Sequence, residues 1–313
     1  MSAEVFGDAA RILSEAAGDR VRRDFPLAPL TSFRLGGPAA VYLEAASQED
    51  LAALGRALDE TGLPMLVIGK GSNLLISDEG FPGIVVRLGK GFRWAARDGH
   101  RISAGGAMPL PAMANVALSH SLAGLEFGVA IPASLGGSVR MNAGAHHRSL
   151  DEVLVSVEIF DTRVGEARVI PASEAGFSYR DSRLPERSLV VGATAELVPD
   201  DPAAIRVRMD EARTWRRETQ PLAEPNCGSV FKNPQGDHAA RLIDGAGAKG
   251  LRLGGARVSE KHANFFIAGE GATATDVRAL IAEVRRRVHE SAGVWLEPEV
   301  HLVGRFDETE DVA

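Results

Sequence analysis

The chain reads as an α+β protein with natural cuts near residues 95 and 215. Three observations predict this class. Strand and helix patterns alternate from Val41 to Leu88, a long section from Arg101 to Leu197 closes on two strand-like runs, and a compact α+β unit follows Glu218. No internal repeat interrupts this order.

Taken in order, Val41-Tyr42-Leu43-Glu44 reads as a strand. Ser47 with Asp50 three positions on is a helix start, and Leu51, Leu54 and Leu58 recur on one helical face. Gly62 and Pro64 end that helix, and Met65-Leu66-Val67-Ile68 follows as a buried strand. Ile84 to Leu88 is the next, and Val153–Phe160 and Leu189–Leu197 close the middle section. A helical connector spans Pro202–Glu218. Thr273, with Asp276 three residues later, caps a helix whose apolar stripe is Val277, Leu280, Ile281, Val284 and Val288. Gly293 stops it. Trp295–Val303 reads as a final strand, with Glu297, Glu299 and His301 on one face and Leu296, Val300 and Leu302 on the other.

Composition narrows the function. With 313 residues, 45% hydrophobic and 25% charged, the chain supports a large buried core. A net charge of −7 argues against a nucleic-acid-binding face, which needs a basic patch. The N terminus carries no signal-peptide pattern, and no run approaches the ~20 apolar residues of a membrane span. The single cysteine excludes an internal disulfide and a cysteine-cluster metal site, and it suits a reducing compartment, so a soluble cytoplasmic protein is expected. His146-His147 lacks accompanying carboxylates, and no metal is assigned. The run Asp307–Asp311 reads as a solvated tail.

Three segments are rich in turn formers. Gly69-Lys70-Gly71-Ser72-Asn73-Leu74-Leu75 follows a strand, and glycines there let successive N–H groups face an anion. It is neither a Walker loop nor a dinucleotide fingerprint, and a plain tight turn would look the same. Gly124–Ala145 is dominated by small residues without periodicity, which suits backbone packed on a flat ligand, although a loop packed between domains would share that composition. Two such regions together favour a large cofactor with a pyrophosphate and a ring system. Pro225–Pro234 holds the lone Cys227 with Gly228, Ser229, Lys232 and Asn233; its polarity makes it a poor core segment, hence a surface turn or a site.

Six separated motifs occur in one order: Thr31–Ala39, Gly69–Leu75, Gly124–Ala145, Tyr179-Arg180-Asp181-Ser182, Gly228–Pro234 and Leu296–Val300. In that order they resemble the UDP-N-acetylenolpyruvoylglucosamine reductase family, from about residue 20 to 305. The short interval from Arg180 to Ser229 resembles the shorter class, which lacks an inserted tyrosine loop. The resemblance implies a two-lobed FAD-binding domain of the vanillyl-alcohol-oxidase type (lobes 1–95 and 96–214), a smaller α+β substrate domain (215–305) and an acidic tail (306–313). It implies non-covalent FAD reduced by NADPH, and hydride transfer to UDP-N-acetylglucosamine enolpyruvate. A monomer or weak oligomer is expected. The alternatives are another FAD-dependent oxidoreductase of the same fold and a non-catalytic nucleotide-sugar-binding protein.

Reduction of an enolpyruvyl group needs a cation on the carboxylate, a proton donor and a diphosphate pocket. By resemblance, Arg180 is the carboxylate clamp, Ser229 the proton donor and Glu299 the catalytic glutamate that stabilises or steers the intermediate. Spacing alone does not separate Glu299 from Glu297. Cys227 is read as a space-filling neighbour. The cofactor set is Arg34, Gly69, Lys70, Gly71, Ser72, Asn73, Leu74, Ile131, Pro132, Ser134, Gly136, Gly137, Asn142, Gly144 and Ala145. The substrate set is Tyr179, Arg217, Lys232, Asn233, His262 and Asn264; Arg213 and Arg216 are further candidates for the diphosphate, and His262 reads equally well as a satisfied core histidine. Ala133-Ser134 and His146-His147 depart from the glycine-threonine and tyrosine of the family pattern, which bears on the ring contacts of the flavin.

Overall fold

The computed structural model describes residues 3–306; the acidic run expected at 307–311 lies outside the described residues. The chain divides into two compact units. One takes residues 3–24, 40–70 and 82–216, and the other 25–39, 71–81 and 217–306.

The first unit has two cores. In one, helix α1 (Ala3–Ala17) and helix α2 (Gln48–Thr61) cover a four-stranded sheet in the order Val21–Pro26, Pro38–Ala45, Phe81–Leu88, Met65–Val67. Helix α2 starts where the sequence predicts: Ser47 Oγ accepts from Asp50 N, and the Asp50 carboxylate accepts from Ser47 N at 3.1 Å. Gly62 ends it in the left-handed conformation. Leu51, Leu54, Val41, Leu43, Ile84 and Val86 are buried together, which is why this stretch alternates so plainly in sequence.

The second core belongs to a five-stranded antiparallel sheet, Glu166–Pro171, Leu154–Asp161, Ser188–Glu196, Arg101–Gly105, Ala95–Asp98. Helix α3 (Leu110–Ser119), the short helix α4 (Leu135–Arg140) and helix α5 (Pro202–Thr219) pack their apolar faces into it through Met113, Leu135 and Ile205. The glycine-rich region expected to be irregular contains α4 and a two-residue ladder, Gly144–Ala145 with Arg148–Ser149.

In the second unit, a three-stranded sheet (Arg252–Leu253, Ala256–Val258, Phe266–Ala268) packs with helix α6 (Ala239–Gly245) and helix α7 (Ala274–Ala292). Thr273 and Asp276 form the expected reciprocal cap, and Gly293 closes the helix. Asp78 adds a second cap, accepting from Ala274 N at 2.8 Å and Thr275 N at 2.9 Å. The predicted helical stripe is buried around Phe33, Leu75, Val230, Phe231 and Phe266.

Two expectations fail here. Trp295–Val303 is not one strand: only His301–Val303 is, paired in parallel with Leu74–Ile76. Pro298 has no N–H for a ladder, and Val230 O accepts from both Glu299 N (2.7 Å) and Val300 N (3.3 Å). Two residues there oppose one, the geometry of a bulge, so the alternation slips. Leu296 and Val300 are buried as expected, whereas Leu302 is exposed and Val303 takes the inward place. The Pro225–Pro234 segment, read as a poor core segment, nevertheless places Cys227, Val230 and Phe231 in the core.

Among the described residues no helix is long and apolar enough to cross a membrane, and no group of three His, Cys, Asp or Glu residues is arranged to hold a metal ion.

Candidate active site

The loop after Met65–Val67 is shaped by close approach. A Cβ at Gly69 would stand 2.2 Å from Ser134 Oγ, so any larger residue would displace that buried hydroxyl. Ser134 Oγ accepts from Gly137 N at 3.4 Å and caps α4, with Gly136 and Gly137 in its first turn. Gly71 has φ +59°, and its backbone lies against Leu30 O and Thr31. Among the described residues, the N–H groups of Lys70, Gly71 and Ser72 have no protein acceptor. Consecutive free donors about a left-handed glycine form an anion cradle, and this donor set fits the diphosphate of a dinucleotide cofactor. Lys70 and Pro132 are exposed and Ile131 half-buried.

Like Ser134, two more residues of the expected cofactor set spend their side chains on the protein. Asn142 is buried; its Nδ2 donates to Ser178 O at 3.0 Å and its Oδ1 accepts from Asp151 N at 3.0 Å. Asn73 Nδ2 donates to Glu299 O at 2.8 Å, and Asn73 O accepts from His301 N. Leu74 pairs with His301. Arg34 is exposed, with φ +59°.

Arg180 occupies a tight turn closed by reciprocal bonds between Ser178 and Asp181. Its φ of +58° is costly for a residue with a Cβ, so the surroundings must impose it. They do so from the end of α4. Arg140, its guanidinium drawn out of water, donates to Leu184 O at 2.8 Å, Pro185 O at 3.0 Å and Ser188 O at 2.8 Å, while Arg140 O accepts from Ser182 Oγ. Burial lowers the Arg140 pKa from its ordinary value. Arg180 itself donates to Gly144 O at 2.8 Å and lies over the exposed Tyr179 ring, 5.1 Å from its centroid. Ala145 pairs with Arg148, and His146 meets Trp215 edge-on.

In the second unit Ser229 and Glu299 come from neighbouring strips of chain. Glu299 N donates to Val230 O at 2.7 Å, Lys232 N to Glu297 O at 2.9 Å, and Phe231 bridges Pro298. Both Ser229 and Glu299 are half-buried. Glu297 is exposed and paired with Lys232 Nζ at 2.7 Å, which separates the two carboxylates that spacing left equivalent. Gly228 supplies φ +82° to the turn, and no protein atom lies within 4 Å of where its Cβ would be. Cys227 is buried with its pKa raised, first by burial and then by the Glu299 charge, so its thiol stays protonated.

The remaining substrate candidates divide. Asn233 Oδ1 accepts from Ala239 N at 3.0 Å, the first residue of α6. His262 is half-buried and packs edge-on against Phe265; burial lowers its pKa, and its Nδ1 accepts from Asn264 N at 3.2 Å. Asn264 is buried, with both amide atoms on the Phe231 backbone. Arg217 lines a cleft of about 570 Å³ with Gln220, Leu222, Arg252, Arg257 and Lys261, and its carbonyl accepts from Lys261 Nζ at 2.6 Å. Arg213 is paired with Asp210 at 2.7 Å. Sequence reasoning missed Arg140 altogether; the one available signal was a lone arginine inside a run of small residues.

The geometry can now be set beside known proteins. A model of the FAD binding domain matches residues 39–170. Wild-type Phl p 4.0202, a glucose dehydrogenase, shares the fold over 64% of this chain and 44% of its own, with TM-score 0.50 and 15% identity. The chain therefore has the two-lobed FAD-binding fold of the vanillyl-alcohol-oxidase type, followed by a smaller α+β domain. A model of the UDP-N-acetylenolpyruvoylglucosamine reductase C-terminal domain matches residues 220–303. The reductase of Methylorubrum extorquens is 44% identical over 305 residues, covering 97% of this chain and 98% of that protein. That of Heliobacterium modesticaldum is 43% identical over 295 residues, covering 91% and 94%. The crystal structure of the Thermus caldophilus reductase superposes with TM-score 0.79 at 36% identity, covering 91% of this chain and 99% of that one. The chain belongs to the UDP-N-acetylenolpyruvoylglucosamine reductase family.

Proposed function

We propose that this protein reduces UDP-N-acetylglucosamine enolpyruvate to UDP-N-acetylmuramate with NADPH, in peptidoglycan precursor synthesis in the cytoplasm, as a monomer or weak oligomer. The division into flavin lobes 1–95 and 96–214 and a substrate domain 215–305 is part of this reading. Non-covalently bound FAD supplies the two-electron hydride chemistry that links NADPH to the enolpyruvyl double bond. The Gly69–Leu74 loop, with Ser134, Gly136, Gly137, Gly144 and Ala145, would hold it.

Hydride arriving at the methylene carbon leaves negative charge on the neighbouring carbon, delocalised into the carboxylate. The Arg180 guanidinium clamps that carboxylate through both oxygens and offsets the developing charge. The Ser229 hydroxyl gives its proton to the carbon bearing the carboxylate, and solvent then restores the hydroxyl. A hydroxyl suffices as the acid because the carbanion is more basic than the serine alkoxide that the transfer leaves behind. The Glu299 carboxylate stabilises or steers the intermediate. Lys232 contacts the sugar nucleotide, and Arg217 serves its diphosphate.

One observation carries the reading: Glu299 N and the Ser229 segment meet at the Val230 carbonyl, 2.7 Å apart, so the proton donor and the carboxylate stand on adjoining strips of chain. The test is anaerobic absorbance of the purified protein. It should be yellow, bleach with NADPH, and regain colour on adding the enolpyruvyl sugar nucleotide. A colourless protein, or one whose reduced flavin the sugar nucleotide leaves unchanged, would overturn the proposal.

A further inference from the structure

The sequence pattern placed Asn264 among the substrate contacts, and its surroundings leave it nothing to offer a substrate. It is 3% exposed. Its Nδ2 donates to Phe231 O at 2.8 Å, and its Oδ1 accepts from Phe231 N at 2.9 Å. Its own carbonyl accepts from Val230 N at 2.9 Å. The orientation of the amide is dictated by its partners, since an N–H must meet oxygen and a carbonyl must meet nitrogen.

The Ser229–Lys232 segment is fastened on two sides. Toward Glu297–Val300 it makes main-chain bonds from Val230 O and Lys232 N. On the opposite side the main chain contributes a single bridge, Ser229 to Phe265, and the ladder goes no further. There the Asn264 side chain takes over. A carboxamide carries one acceptor and a donor in nearly the arrangement of a peptide group, so it completes the rung that a longer strand would have supplied. Phe231 is 1% exposed, and without this amide its N–H and C=O would both be buried and unpaired. The two peptides that flank Phe231 would then be held on the Glu297–Val300 side alone, and the chain that leaves Ser229 could tilt about that side.

We propose that Asn264 is a positioning residue for the enolpyruvyl half-reaction: it sets the Ser229 hydroxyl through the Phe231 peptide and does not touch the sugar nucleotide. This rests on Ser229 being the proton donor. A displacement of about an ångström at a reacting group costs up to ~10²-fold in rate, so loss of the clamp should slow proton delivery by about 10- to 100-fold.

Asn264→Asp and Asn264→Leu separate the possibilities. Ionised aspartate still accepts from Phe231 N but opposes Phe231 O with a charge; protonated aspartate can donate to it; leucine does neither. In the FAD-bound enzyme, NADPH should bleach both variants at within a few-fold of the wild-type rate. Recolouring by the enolpyruvyl sugar nucleotide should be about 10- to 100-fold slower in each at neutral pH, with its dissociation constant within a few-fold. For Asn264→Asp the ratio of its rate to wild type should rise as pH falls, as protonation restores the donor, and for Asn264→Leu it should stay flat. Taking the ratio removes the titrations of His262, Glu299, Lys232 and Lys261, which both proteins share. Amide exchange at Val230 and Phe231 should quicken in Asn264→Leu without any substrate present.

A weakened dissociation constant with an unchanged recolouring rate would make Asn264 a substrate contact and overturn the proposal. So would unchanged amide exchange, or a pH-independent ratio for Asn264→Asp. Should wild type itself fail to recolour, the assigned reaction is wrong, and the exchange measurement still decides whether Asn264 holds the segment.

Discussion

The loop around Arg180 and the segment around Ser229 both need a fixed main chain, and each takes its support from a different kind of partner. Residues 178–188 have little ladder of their own; the half-buried Arg140 guanidinium gathers the carbonyls of Leu184, Pro185 and Ser188, and Asn142 takes Ser178 O. Ser229–Lys232 instead lies along main-chain bonds to Glu297–Val300, with one buried carboxamide, Asn264, filling the far side. The guanidinium holds a loop whose Arg180 sits at a strained φ of +58°. The carboxamide holds an extended segment without such strain. Where the backbone must bend against its preference, the fastener is charged and multidentate; where it runs straight, one neutral amide suffices.

The comparison can be broken, and the largest expected effect comes from its functional end. Arg180→Met should slow recolouring of NADPH-reduced flavin by the enolpyruvyl sugar nucleotide by about 10²–10³-fold, leaving NADPH bleaching within a few-fold. Equal loss in both half-reactions would take Arg180 out of the clamp role. Next is the fastener: Arg140→Met takes the donor from Leu184 O and Ser188 O, while Pro185 O keeps Ser188 N and Ser188 Oγ, and should cost about 2–4 kcal/mol in denaturant unfolding. Arg140→Lys should recover only part, because an ammonium cannot span the three acceptors in one plane. Full recovery would mean that charge alone, not the fork, holds the loop.

Smaller effects sharpen the picture of the Ser229 segment. Cys227→Ala should leave both half-reactions within a few-fold and cost about 1 kcal/mol of stability, as the loss of a small buried group. A dead Cys227→Ala enzyme would reverse the roles of the two neighbours. His262 titrates below its ordinary value because it is buried. The unfolded chain therefore binds its proton at a higher pH than the folded one. This contribution to stability is present above the unfolded pKa and is lost as pH falls through the folded one. Thermal melts of wild type and His262→Gln across the acidic range should show a shallower acid decline in the variant; parallel curves would count against the assignment.

What the sequence discloses follows the range of the interactions. Helix ends are settled by residues three or four apart, so Ser47 with Asp50, Thr273 with Asp276, Gly62 and Gly293 are all legible and all found. The glycine-rich loops are legible as composition because close backbone approach forbids a Cβ, as at Gly69 against Ser134. The last strand misled because a bulge opposite Val230 depends on another segment of chain and leaves no mark in the alternation around Pro298. Asn264 and Asn142 were hard to read for a related reason. A polar residue in a motif looks the same whether it faces a ligand or a buried peptide, and only the partners tell the two apart. Arg140 stayed hidden because its acceptors are main-chain carbonyls, which every residue carries.

The central claim, that Ser229 protonates the substrate carbon after hydride arrives, is tested most directly by Ser229→Ala in single-turnover absorbance. NADPH should bleach the variant's flavin at within a few-fold of the wild-type rate. The enolpyruvyl sugar nucleotide should then restore the colour about 10²–10⁴-fold more slowly than in wild type. Recolouring at the wild-type rate would contradict the account.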